Sequence, residues 1–168
     1  MSVADLLSDA FGRVAELVSS AIAGLSTQQL AVRPAGQANS IGWLIWHLTR
    51  IQDDHVADAA GGEQVWTGAG WYDRFGLPFD PAATGYGQRA ADVAAVQVSA
   101  ELLAGYHEAV HRRTADYLAG LSAADLGRVV DENWDPPVTL GVRLVSVLSD
   151  DLQHVGQAAY ARGLLDTA

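Results

Sequence analysis

Four stretches of this chain repeat apolar residues every three or four positions, and that period restricts the fold more than any other feature. From Ser2 to Gly24 the repeat runs through Leu6, Leu7, Phe11, Val14, Leu17, Val18 and Ile22. From Asn39 or Ser40 to Ala60 it runs through Ile41, Leu44, Ile45, Leu48 and Ile51 and stops at Gly61-Gly62. A third stretch begins near Ser99 and carries Leu102, Leu103, Tyr106, Val110, Tyr117 and Leu118; a fourth follows Pro136-Pro137, with Thr139 as its cap, and continues through Leu140, Leu144, Val147, Leu148 and Val155 to Gly163. Residues at this spacing share one face of an α-helix, a Ser or Thr suits its first position, and a Gly suits its end. Four such helices can bury their stripes only against one another. The predicted fold is therefore all-α, a four-helix bundle formed as one domain over residues 1–168.

The connection between the second and third predicted helices, from Gly61 to about Val98, is too long for an ordinary turn and too aromatic for a solvated linker. It holds Trp66, Trp71, Tyr72, Phe75, Phe79 and Tyr86, and 90–96 is short but helix-compatible. Two readings fit: a flap over one end of the bundle whose rings, Trp66 and Trp71 among them, wall a ligand pocket, or an extension of the core beneath a long loop. The chain also echoes itself. Leu25-Ser26-Thr27-Gln28-Gln29-Leu30 after the first helix is answered by Leu121-Ser122-Ala123-Ala124-Asp125-Leu126 after the third, and both read as a capped turn.

Charge and composition exclude several functions. Ten basic residues stand against twenty acidic ones, giving a formal net charge of −10, so no basic surface is available for nucleic acid or for anionic membranes. No apolar run reaches the roughly 20 residues of a spanning helix, and the Met1-Ser2-Val3-Ala4-Asp5 start is unlike a secretion signal, so a cytosolic protein is expected. The chain has no cysteine, which removes disulfides, thiolate ligands and a cysteine nucleophile together.

The residues that could carry chemistry cluster on the second and fourth helices. Asp150 and His154 are four residues apart, about 40° on a helical wheel, at the polar edge of the fourth stripe, while Asp151 lies nearer its centre. His47 sits at the edge of the second stripe, with Asp54 two turns on as a carboxylate able to orient it. Two imidazoles and a carboxylate are a common set for a divalent metal, with either Asp150 or Asp151 as the carboxylate and the other free to orient an imidazole or take a proton. Zinc is the first expectation, with nickel or iron as alternatives. Arg143, in the first turn of the fourth helix, wants a carboxylate such as Asp131, Glu132 or Asp135, and otherwise offers an anion site for a cofactor. His55 falls near the middle of its stripe, where a structural role is expected. A rival motif is His107-Glu108-Ala109-Val110-His111, a literal H-E-x-x-H that could hold zinc for hydrolysis, although its Glu108 falls well off the stripe and no third histidine follows at the expected spacing.

With these residues in place, the chain resembles the DinB-like superfamily of four-helix bundles, in particular the branch of mycothiol-dependent maleylpyruvate isomerases and thiol transferases. The likeness rests on Trp43 to Asp54 with its Trp-x-x-x-His-Leu core, Gly70-Trp71, Trp134-Asp135-Pro136-Pro137 and, most specifically, His154-Val155-Gly156-Gln157. The resemblance implies a divalent metal on His47, Asp150 and His154, with a short aspartate where that branch has a glutamate. It also implies mycothiol or a similar low-molecular-weight thiol as co-substrate, a small electrophile as acceptor, and a homodimer as the common assembly. A bundle that binds metal without turnover, as a stress-response module, is the alternative expectation.

Overall fold

The computed structural model describes residues 1–165. Four long helices form the bundle: α1 (Val3–Ile22), α3 (Ile41–Ala60), α7 (Ala100–Ala119) and α8 (Leu140–Leu165). Shorter helices lie between them, α2 (Thr27–Ala31) before α3, and α4 (Val65–Gly68), α5 (Trp71–Phe75) and α6 (Ala90–Ala95) in the connection to α7. A small antiparallel hairpin, β1 (Val129–Asp131) and β2 (Val138–Thr139), leads into α8. The all-α bundle expected from the periodicity is the fold of this chain.

Local chemistry sets the helix starts. Ser2, Ser26, Ser40 and Ser99 each accept a hydrogen bond from the backbone N–H three residues on, satisfying one of the amides that a helix leaves unpaired at its first turn. At Ser26 the Gln29 side chain returns the bond; at Ser122 the Asp125 carboxylate instead accepts from both the backbone amide and the hydroxyl, so both halves of the sequence echo close as turns but only the first is Ser-capped. α3 stops at Gly61, whose positive φ of 65° turns the chain out of the helix.

Around the bundle, α3 packs against α8 and α7, and α1 packs against α7 and α8. α3 is the central element. From Ile41 to Asp53 nearly every residue is buried, including the polar His47, Thr49, Arg50, Gln52 and Asp53. Among the described residues no helix is long and apolar enough to cross a membrane.

The connection between α3 and α7 is folded rather than draped. Trp66 is 2% exposed and packs edge-on against Trp46, Tyr72 and Phe75 and tilted on Tyr106, while Trp71 leans on Tyr106 and fills the space beside Gly105. Rings this large contribute most when they leave water entirely, so they extend the bundle core. The expectation that Trp66 and Trp71 wall a ligand pocket is thus corrected: their ring contacts are with the core, and Arg74 covers the face of Trp71.

A hydrogen-bond network fastens this connection to the bundle. The Asp53 carboxylate accepts from the Val65 and Trp66 amides at 2.8 and 2.7 Å, capping α4, and from the Tyr106 hydroxyl at 2.9 Å. Beside it, the fully buried Arg50 donates to the Gln64 side chain at 2.9 Å and to the Ala83 carbonyl at 3.1 Å, with its guanidinium 5.1 Å from the Trp66 ring centre. The segment at 83–85 is therefore tied to α3 from below.

Candidate metal centre

α3 and α8, the most closely packed pair, bring His47, Asp150 and His154 together. One donor atom from each lies within 4.8 Å of the others, and among the described residues this is the one group of three metal-type ligands that converges. The His154 Nε2 is 3.5 Å from an Asp150 oxygen, and the two imidazole rings are 4.7 Å apart at 72°. Helix rotation settles which aspartate joins them. Asp150 sits one turn before His154 on the same face, whereas Asp151 turns into the core.

Each histidine has one ring nitrogen anchored and the other left to the centre. His47 Nδ1 donates to the Thr84 carbonyl at 2.6 Å, which leaves Nε2 as a bare lone pair. His154 Nδ1 donates to the Gln157 side-chain oxygen at 3.0 Å, which frees its Nε2 toward Asp150 in the same way. The second Asp150 oxygen is buried with no hydrogen-bond partner in the chain. Two bare imidazole nitrogens and an under-satisfied carboxylate, each in reach of the others, are a donor set that fits a divalent ion of the zinc, nickel or iron type.

Electrostatics favour a bare nitrogen at His47, and at His154 they pair the imidazole with Asp150. Burial holds the His47 imidazole below its ordinary pKa, assisted by the charge of His154, so it stays neutral and able to ligate. Asp150 pulls His154 upward through its hydrogen bond, against the effect of burial. Burial alone would raise Asp150, but the hydrogen bond and charge of His154, together with His47 and His55, hold it below the usual carboxylate range.

Trp43, the first residue of the Trp-x-x-x-His-Leu motif, closes one side of the centre. Its ring stacks on His47 at 4.6 Å and 17°, meets His154 edge-on at 6.4 Å, and is itself fixed by a 2.7 Å bond from its Nε1 to Gln88. Gly85 closes another side. A Cβ built there would stand 2.6 Å from His47 Nδ1 and 3.1 Å from the Trp46 ring, and its φ of +100° independently favours glycine. The Thr84 contact was not legible because it uses a backbone carbonyl, and no side-chain pattern marks it; Gly85 was visible as a glycine but not as one touching a ligand.

The remaining candidates lie elsewhere. Asp54, expected behind His47, accepts from the Gln64 amide at 2.7 Å and lies 3.7 Å from His55; the partner that orients His47 is the Thr84 carbonyl instead. Asp151 is fully buried, burial with the neighbouring Asp150 charge raises its pKa well above the ordinary carboxylate value, and neither oxygen has a hydrogen-bond partner, so it orients no imidazole. Arg143 donates to Asp131 at 2.7 Å, the ion pair expected for it, and its other terminal nitrogen lies 3.3 Å from His55 Nδ1; this guanidinium is committed to protein groups rather than to a cofactor.

The H-E-x-x-H segment lies on the opposite flank, between α1 and α7. His107 is buried with its Nδ1 3.1 Å from Thr49, and its ring stacks on that of His111 with centres 6.4 Å apart. Glu108 faces solvent beside Arg112, not the gap between the imidazoles, and no third ligand joins the pair among the described residues. That arrangement is a core histidine with a neighbour, not a hydrolase centre.

Comparisons with known proteins give the fold and the family. No curated protein matches the chain. A crystal structure of a conserved protein from Enterococcus faecalis superposes with a TM-score of 0.92 at 31% identity, covering 100% of this chain and 99% of that one. The family described as mycothiol-S-transferase matches residues 6–167, nearly the whole sequence, with both His47 and the Asp150–His154 turn inside the match. The chain belongs to the mycothiol-S-transferase family.

Proposed function

We propose that this protein transfers a low-molecular-weight thiol, mycothiol or a close relative, to a small electrophile, at a divalent-metal centre formed by His47, Asp150 and His154. The observation that carries the reading is the pair of imidazoles anchored through Nδ1 with both Nε2 atoms turned toward one carboxylate. Family membership supplies the thiol.

A divalent ion held by His47, Asp150 and His154 would supply Lewis acidity there, enough to bring a thiol with an ordinary pKa of about 8.5 to abundant thiolate at neutral pH. The residues of the chain do the rest. His47 and His154 would contribute neutral imidazoles, His154 after giving up any proton it shares with Asp150, and Asp150 the negative charge, so a divalent ion there would keep a single positive charge to balance an anionic sulfur. Trp43 and the 84–85 backbone shield the His47 side from water. With no cysteine in the chain, the nucleophile is the co-substrate's sulfur. Its proton leaves to solvent, its electron pair forms the new carbon–sulfur bond, and the leaving group departs with the electrons of the bond that breaks.

Elemental analysis and a conjugation assay test the reading together. Purified protein is expected to hold one zinc, nickel or iron ion per chain, and His47→Ala and His154→Ala to lose it while keeping their helical circular dichroism. Loaded protein is expected to conjugate mycothiol to monochlorobimane faster than the His154→Ala control. If mycothiol, bacillithiol and glutathione all give no metal-dependent conjugation, the transferase reading falls and a metal-binding bundle without turnover takes its place.

A further inference from the structure

Beside the metal centre, α8 and the N-terminal turn of α3 leave a cavity of about 490 Å³ open between them and the 34–39 segment. Its walls are Leu44, Ala38, Ala161 and the Tyr160 ring, its polar side-chain groups are the amides of Asn39, Gln153 and Gln157 and the Tyr160 hydroxyl, and no charged side chain lines it. It adjoins the centre on both helices. Leu44 is one turn before His47, and Gln157, which holds His154 Nδ1 with its oxygen, also lines the cavity. The volume falls within the range of small-molecule sites.

Gly156 lines the cavity. It lies in the middle of α8, where glycine weakens a helix, yet its φ is ordinary and a Cβ built on it meets no heavy atom within 4 Å. Backbone geometry therefore does not require glycine here. Packing does not require it either, since Gly156 is exposed and the space over it is open; a large side chain at this lining position has room to lie beside Gln153, Gln157 and Tyr160 and fill the cavity.

On the reading given under Proposed function, we infer that this cavity is the subsite for the electrophile, and that it selects an uncharged, apolar acceptor, with Gly156 as the lining position from which a larger side chain fills it. A polyhydroxylated thiol needs many hydrogen-bond partners and an anionic thiol or acceptor needs a cation; the cavity offers a few amides, one hydroxyl and no cation, in a chain of net charge −10. Apolar carbon is what its walls accommodate. The thiol then reaches the centre from outside this cavity.

The test separates binding from chemistry by using two unreactive probes of nearly one shape, p-nitrotoluene and p-nitrobenzoate, titrated by ligand-observed NMR into metal-free protein. The neutral probe is expected to bind at least tenfold more tightly than the anionic one. Gly156→Phe is expected to weaken p-nitrotoluene at least tenfold, and Gly156→Ala by less than threefold, with the metal-to-protein ratio of both variants unchanged. Should Gly156→Phe fail to fold, Gly156→Leu, a better helix former, fills the same space. Equal binding of the two probes, or no effect of filling the cavity, overturns the subsite. So does a dimer that dissociates in the filled variant while probe binding stays the same, which would give the cavity to a second copy of the chain. If the probes behave as expected but no thiol is transferred, the subsite stands and the transferase reading fails. If transfer to apolar electrophiles proceeds with an unchanged KM in the filled variant, the reverse holds.

Discussion

Gly85→Ala is the sharpest perturbation of the site, because one methyl group acts on the anchor of a ligand. The new Cβ stands 2.6 Å from His47 Nδ1 and 3.1 Å from Trp46, against an ordinary contact of about 3.5 Å, an overlap of roughly 0.9 Å. His47 cannot retreat, since Trp43 stacks against its ring, and the 83–85 segment must lift instead, breaking the 2.6 Å bond from Nδ1 to Thr84. Loss of such an outer partner typically weakens metal affinity about 10–100-fold, or about 1.4–2.8 kcal/mol. Backbone strain at φ of +100° adds a stability cost of about 1–3 kcal/mol. Gly87→Ala is the control: its φ of +72° incurs a similar strain, but no heavy atom lies within 4 Å of its Cβ. Competition against a chromophoric zinc chelator measures affinity, and urea unfolding in the presence of EDTA measures stability without the metal. The expectation is that both variants lose stability and only Gly85→Ala loses affinity. Equal affinity losses would assign the effect to loop strain, and wild-type affinity in Gly85→Ala would refute the orienting role of Thr84.

Three further outcomes follow from the same geometry. Burial pushes the His107 pKa down from 6.5 to about 3; the unfolded chain binds this proton from about pH 6.5 downward and the folded chain does not, so stability is full above that pH and falls by about 1.4 kcal/mol per unit toward pH 3. Urea unfolding at stepped pH is expected to show a shallower acid slope in His107→Gln, and an unchanged slope would place the acid sensitivity elsewhere. Arg50→Met strips Asp53 of its buried cation and frees the Ala83 carbonyl, with an expected cost of about 3–5 kcal/mol by denaturation; adding Asp53→Asn recovers part of it, and a loss below about 1 kcal/mol would mean the network carries little. Zinc at 1,000 times its Kd is expected to raise the unfolding free energy of the wild-type chain by about 4 kcal/mol and that of His154→Ala by none, and equal shifts would move the binding site away from His154.

What the sequence made legible, and what it did not, divides along physical lines. The long helices announce themselves because each must bury a stripe, and their starts are marked by serines whose hydroxyls replace a missing backbone partner. His47 and His154 were readable from helical spacing, and even the choice between Asp150 and Asp151 was present as an angle: the edge position faces the partner helix, and the central one faces the core. Spacing along one helix, however, says nothing about what another segment lays across it. Trp66 and Trp71 look alike as core rings or as pocket walls, because only the path of α4 and α5 decides which surface they meet, and helices of four or five residues are too short to show a period. The Arg50–Asp53 pair was readable in principle as a cation and an anion three residues apart within a nearly all-apolar helix, a pairing that burial demands.

The same demand explains why the centre sits on α3. A helix buried on nearly every side must find a partner for each polar group it carries, at a penalty of about 1–3 kcal/mol for each one left alone. Thr49 meets His107 and Gln52 meets Thr114, both on α7; Arg50 and Asp53 meet Gln64, Ala83 and the start of α4. These bonds fix the bundle and pull the 61–98 connection down onto α3, which delivers the Thr84 carbonyl to His47. Trp46 Nε1, Arg50 Nη2 and Gln52 Oε1 are left without a partner, but at His47 the nitrogen that the fold does not satisfy is one of a converging group. His154 and Asp150 complete that group across the helix interface, each with one group anchored or paired and one turned inward without a partner. The fold thus spends its hydrogen bonds on orientation and leaves three donors converging on one point, which is where a cation compensates what the protein does not.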